Sequence, residues 1–194
     1  MNDGDRELLA RAVGGDAAAR EALFARHYLS VLRFFQLNAT WVADDLTQRT
    51  LVACLEKLAS VPAEGFRPYL FGIARNQLRM YVRHAAVAGA HDEPSPQARH
   101  TGVSTIVARS QQQRRLLVAL GRLPDDQRIA ITLHYWEELN SSELGHALGI
   151  PASTVRTRLA RARERLHAEM VRQGERGEDF ESALREIGPR LTSA

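Results

Sequence analysis

The 194-residue chain is 44% hydrophobic and 25% charged with a net charge of +3, a composition suited to one globular domain or two small ones and unlike a disordered or fibrous chain. Its one cysteine, Cys54, excludes an intrachain disulfide and a thiolate metal cluster, and the seven histidines show no paired spacing. No signal-peptide pattern and no apolar run near about 18 residues is present, so the expectation is a cytoplasmic chain with no membrane segment.

Outside the breakers, apolar residues recur at three and four, which predicts an all-α fold. A first helix spans 5–13 and ends at Gly14-Gly15. Asp16 is placed to cap a second, whose inner side carries Leu23, Phe24, His27, Val31 and Phe35. Asn38 or Thr40 starts a third reaching about Leu58, with Val42, Leu46, Leu51, Cys54, Leu55 and Leu58 offered to a core. Pro62 and Gly65 make 60–65 a loop, and Pro68 suits the first turn of a fourth helix carrying Leu70, Ile73, Ala74, Leu78 and Tyr81. From 84 to 105 the sequence turns small, polar and proline-containing, as a flexible linker does.

A second set of helices begins near Val107, with one helix to Leu120 and another through Ile129, Ile131, Leu133 and Trp136. Asn140 and Glu143 have capping-box spacing, Leu144, Ala147 and Leu148 give a short apolar face, and Gly149 suits a left-handed C-cap. Pro151 stops that helix, and Ser153 or Thr154 caps the next. This helix–turn–helix arrangement lays a second helix in the DNA major groove. In that helix Val155, Leu159, Ala162 and Leu166 form the inward stripe. Arg156, Thr157, Ala160 and Arg161 therefore point outward, with guanidiniums suited to guanine O6/N7 or to phosphate. Arg158, Arg163 and Arg165 flank that face, where backbone phosphates run. Residues 109–172 hold eleven basic against seven acidic residues, a net +4, whereas the tail 173–194 is net acidic. In the tail, Gly174 and Gly177 break the helix, and Phe180, Leu184 and Ile187 stand at helical spacing. Such a short helix either frays or folds back on the linker or a domain.

The organisation is thus two small helical domains, an N-terminal helical bundle and a C-terminal helix-turn-helix domain, joined by a flexible linker. The borders fall at 1–84, 85–106 and 107–172, followed by the tail 173–194. No glycine-rich phosphate loop, catalytic dyad or metal-ligand spacing occurs, so no enzyme, cofactor or metal is expected. A helix-turn-helix regulator with a helical sensing domain would also explain the second half, and a helical scaffold would tolerate loss of Arg156 and Arg161.

Three segments decide among these readings. The run ADDLTQRTL, Ala43 to Leu51, resembles the AEDLVQETF-type signature of extracytoplasmic-function (ECF) sigma factors. The run FRPYLFGIARNQLRMYVR, Phe66 to Arg83, resembles their FRAWLYxIARNxxxDYLR segment, with Tyr69 where tryptophan is usual. The stretch from Leu123 to Arg163 is similar to their C-terminal DNA-binding domain. The resemblance implies a promoter-specificity subunit that binds core RNA polymerase, recognises −10 and −35 elements and assists melting. It implies that Asp44, Asp45, Gln48 and Arg49 dock on the clamp of the large polymerase subunit. Arg49 stands where glutamate is usual and Leu51 where an aromatic is usual; Asp45 and Arg49 are spaced to pair along the helix. It implies −10 contacts, double-stranded and melted, from Phe66, Arg67, Arg75, Asn76, Arg79 and Arg83, with Phe66 as a base-stacking group. Tyr69 and Phe71 are read as core residues. The −35 contacts fall on Arg156, Thr157, Ala160 and Arg161, with Ser153, Thr154, Arg158 and Arg163 completing the set. An anti-sigma factor is a common further partner in that family.

Overall fold

A computed structural model describes residues 3–62, 65–87, 111–173, 181–182 and 184–185. The linker and most of the tail, including Phe180 and Ile187, lie outside the described residues, as does the expected helix start near Val107. Among the described residues all regular structure is helical. Helices α1 (Asp3–Val13), α2 (Ala17–Asn38), α3 (Ala43–Glu56) and α4 (Phe66–Val87) form the first domain. Helices α5 (Gln111–Gly121), α6 (Asp125–Trp136), α7 (Ser141–Leu148) and α8 (Ala152–Arg172) form the second.

In the first domain α1 and α2 meet through a turn in which Gly15 adopts φ 96°, a left-handed conformation that glycine takes without steric cost. Asp16 caps α2 as expected, accepting from the Ala19 N–H at 3.0 Å. Leu23, Val31 and Phe35 are fully enclosed against α3 and α4, and Phe34 makes edge contacts with Phe35 and Phe71. Each such side chain removed from water contributes about 1.5–3 kcal/mol before entropy is counted. Cys54 is buried, and burial pushes its thiol up to about 12, leaving a packed small hydrophobe without thiolate chemistry.

Asn38 does not cap the third helix. Its amide folds back to donate to the Phe34 carbonyl at 2.7 Å, ending α2 at Asn38 itself. A single 3₁₀ turn (Thr40–Val42) follows, and α3 starts at Ala43, later than the sequence suggested. The buried face of α3 runs through Ala43, Leu46, Thr47, Thr50 and Cys54, and Leu55 falls off it, 43% exposed rather than part of the core. At its other end α4 runs to Val87, three residues past the expected border at 84.

The second domain wraps α5, α6 and α7 around α8. Leu116, Leu120, Ile131, Leu144, Leu148, Val155 and Leu166 close its core. Asp125 and Asp126 lie in the first turn of α6, where carboxylates offset the helix dipole. The two domains pack on each other, α4 against α7 and α2 against α6.

Candidate nucleic-acid interface

The turn that aims α8 is assembled from local chemistry. Asn140 Oδ1 accepts from the Ser142 and Glu143 N–H groups at 2.9 and 3.0 Å, and Glu143 Oε2 accepts from the Asn140 N–H at 2.9 Å. This is the complete reciprocal capping box. Gly149 ends α7 in the left-handed region at φ 61°. A side chain at Gly145 would bring its Cβ to 2.9 Å from the Ile150 carbonyl oxygen, so the tight turn also depends on that glycine. Helix α8 then begins at Ala152 with Pro151 at the cap position, and no side-chain cap is made. The expectation that Ser153 or Thr154 caps it is therefore corrected: Pro151 fixes the entry angle, and both hydroxyl residues sit exposed in the first turn.

The faces of α8 fall where periodicity placed them. Val155, Leu159, Ala162 and Leu166 are buried, while Arg156, Thr157, Ala160 and Arg161 are exposed. Ser153, Thr154 and that outward face form one continuous surface on the first three turns, since three- and four-residue steps return to the same side. Two of the flanking cations are engaged within the protein. Arg158 Nε lies 3.2 Å from Asp126 Oδ2. Arg163 donates to the Tyr135 hydroxyl at 2.8 Å and lies 3.5 Å from Glu181 Oε1. The tail residue Leu184 is fully enclosed, its carbonyl accepts from Trp136 Nε1 at 2.8 Å, and Arg185 stacks over the Tyr135 ring. Sequence reasoning weighed fraying against docking for this segment; the described tail residues are docked on α6 and α8.

On α4, Arg75, Arg79 and Arg83 recur every four residues, and Asn76, Arg79 and Arg83 are exposed. Arg75 is half-buried; its pKa is lowered by burial and then by the nearby Arg79 and Arg158 guanidiniums. Arg67 is held by Glu137, donating to its backbone carbonyl, with Nη2 3.6 Å from Oε2. Phe66 requires a correction. It is fully enclosed, edge-on to Phe24 at 5.7 Å and beside His27 at 5.3 Å, so it is a core residue with no face for a base. Phe71 is likewise core, as expected, and Tyr69 is half-buried.

On α3, Asp44, Asp45, Gln48 and Arg49 are all exposed on one side. The spacing-based pair forms, Arg49 Nε to Asp45 Oδ1 at 3.0 Å, and both side chains remain more than half exposed. The same side continues into Val52 and Leu55, exposed at 54% and 43%. Sequence reasoning assigned Leu55 to the core and passed over Val52. Its position seven residues after Asp45 was the available signal, since that spacing places both on one face. No group of histidine, cysteine or carboxylates suited to a metal occurs among the described residues. No described helix is long and apolar enough to cross a membrane.

Two family profiles match the chain: Sigma-70 region 2 over residues 23–87 and Sigma-70 region 4 over residues 113–166. The ECF RNA polymerase sigma factor SigM of Bacillus subtilis is 31% identical over 145 residues, 73% of this chain and 89% of that protein. The RNA polymerase sigma factor CnrH of Cupriavidus metallidurans is 32% identical over 187 residues, covering 86% of this chain and 94% of that protein. Among solved structures, CnrH bound to the cytosolic domain of CnrY superimposes with a TM-score of 0.62 at 27% identity, covering 86% of this chain and 96% of CnrH. The sigma factor RpoE in complex with the anti-sigma factor NepR from Bartonella quintana gives 0.57 at 25% identity, with coverage of 74% and 91%. The chain belongs to the sigma-70 family, in its ECF group, and is a sigma factor that binds core RNA polymerase and directs it to promoters through −10 and −35 elements.

Proposed function

We propose that the exposed face of α8, Arg156, Thr157, Ala160 and Arg161, reads the −35 element in the major groove. The observation that carries this is the separation of α8 into a buried apolar stripe and a bare basic face, on a helix aimed by a complete cap-and-turn. Arg156 and Arg161 suit bidentate contacts to guanine, and Ala160 leaves room for a thymine methyl. Ser153 and Thr154 lie at the helix N-terminus, where N–H groups favour phosphate. Arg158 and Arg163 reach phosphates by exchanging Asp126 and Glu181 for the DNA backbone.

In the first domain, Arg67, Arg75, Asn76, Arg79 and Arg83 line the route for the −10 element. The α3 face of Asp44, Asp45, Gln48 and Arg49, extended by the apolar Val52 and Leu55, docks on the polymerase clamp. The working units are the first domain, extended by α4 to Val87, for polymerase and −10 contacts and 107–172 for −35 contacts. The chain acts where the polymerase acts, in the cytoplasm, and has no catalytic role of its own. The CnrH and RpoE complexes with CnrY and NepR support an anti-sigma factor as a further partner.

The test is core-dependent transcription from source-genome fragments, with wild-type protein and with Val52→Asp/Leu55→Asp. Transcription from sites sharing two elements, lost in the double variant together with core binding, is expected. Tight promoter binding without core, unchanged by the double variant, would move the regulator reading ahead.

A further inference from the structure

The domain interface contains charge where apolar packing would be simpler. Arg33 on α2 and Glu137 after α6 have side chains only 8% and 6% exposed, and Arg33 Nη2 lies 2.9 Å from Glu137 Oε1. Arg67, at the start of α4, donates to the Glu137 carbonyl and brings a second guanidinium to the same carboxylate. A second polar crossing joins Arg128 Nε to Asn38 Oδ1 at 3.1 Å. The next residue, Glu138, lies between α6 and α7 in the left-handed region at φ 52°.

These contacts seat α7 on the −10 side of α4. Gly72 precedes Arg75, Arg79 and Arg83 by three, seven and eleven residues, so it shares their face of the helix. A Cβ at Gly72 would stand 3.6 Å from the Ala147 carbonyl oxygen and 3.8 Å from its Cα, which is van der Waals contact with the α7 backbone. A Cβ at Gly149 would stand 3.9 Å from Arg75 Nη1. A DNA strand has no room along this half of the basic row while α7 lies there.

We propose that Glu137 is an intramolecular lock: it takes the place of a nucleic-acid phosphate on Arg67, pairs with Arg33, and holds the protein closed with the first half of the −10 face of α4 covered. The proposal rests on the assignment of that face to promoter DNA. A buried ion pair adds little net stability, because both charges lose water, but it satisfies only one registry of the two surfaces. It is also reversible, since both charges regain water when the domains part. Binding of polymerase and promoter therefore requires opening, and apparent affinity falls by the fraction of molecules that are open.

Two measurements test it on the full chain. The first is Gly72→Cys/Ala147→Cys, two positions in contact across the α4–α7 face, with thiol titration confirming that the disulfide has formed; Cys54, being buried, does not compete. The oxidised protein is expected to lose core-dependent transcription by about tenfold or more, with recovery on reduction. Fully oxidised protein that transcribes as well as its reduced form would overturn the lock. The second compares small-angle scattering of wild type, Glu137→Gln and Arg33→Met, with helicity checked by circular dichroism. Both variants are expected to show a larger radius of gyration, and Glu137→Gln to reach half-maximal transcription at about tenfold lower concentration. Folded variants with the wild-type scattering profile would refute the proposal by themselves. Failure of wild-type protein to support transcription would instead remove the site assignment beneath it.

Discussion

Helices α8 and α4 are both basic, and both carry arginines along one face, yet they stand in opposite states. The outward face of α8 is bare, and only its flanks are occupied, by Asp126, Tyr135 and Glu181. The α4 row is covered over its first half by α7, and Arg67 is tied to Glu137. The contrast teaches that helical spacing announces a DNA-facing surface but not whether the folded chain leaves it open. Availability is set by tertiary contacts between residues 70 to 104 positions apart.

The sharpest break to attempt is at Phe66, which the family resemblance offered to DNA and the fold gives to the core. Phe66→Ala should destabilise the first domain by about 3–5 kcal/mol, the cost of a large enclosed aromatic, measured by urea unfolding. Phe66→Leu should retain promoter melting at a permissive temperature; selective loss of −10 recognition with unchanged stability would return Phe66 to the DNA surface. Next comes the second polar crossing. Arg128→Met leaves the Asn38 carbonyl oxygen and the Leu123 carbonyl without this donor, and a loss of about 1–3 kcal/mol is expected. Equal urea midpoints for variant and wild type would show that this crossing contributes no stability.

The turn that aims α8 gives a smaller effect. Asn140→Ala removes the side-chain acceptor for two N–H groups and should cost about 1 kcal/mol, with a parallel weakening of −35 binding as α7 frays. Unchanged thermal stability would show that Gly149 and core packing aim the helix alone. The smallest expected effect is pH-dependent. Burial lowers the pKa of His27, with Asp5 opposing at 3.1 Å, so the folded protein binds this proton less readily than the unfolded chain. Stability is then full above the unfolded value of about 6.5 and declines as pH falls below it. His27→Gln should flatten that decline between about pH 6.5 and 5, above the main carboxylate titrations; an unchanged slope would assign it to other groups.

Much of the second domain was legible because its determinants are local. Asn140, Glu143 and Gly149 act within a few residues of one another, and the α8 stripe follows from helical periodicity alone. The N-terminal misreadings came from competition. Asn38 is a good cap by type, but its amide found a nearer partner in the Phe34 carbonyl, and α3 starts at Ala43; Leu55 lies off the buried face through Leu46, Thr50 and Cys54. Phe66 sits beside arginines in sequence but meets Phe24 and His27 in space. The Arg33–Glu137 pair had no sequence signal, since no local pattern links the two residues and 104 positions separate them.

The most direct test of the central claim uses a template library with a randomised −35 element, transcribed by core polymerase with wild-type protein or Arg156→Ala. If α8 reads bases through its bare face, the variant loses preference at one or two adjacent positions, by about 1–3 kcal/mol, and keeps it elsewhere. Uniform weakening across all sequences, with a shallower salt dependence, would place Arg156 on a phosphate and contradict the account.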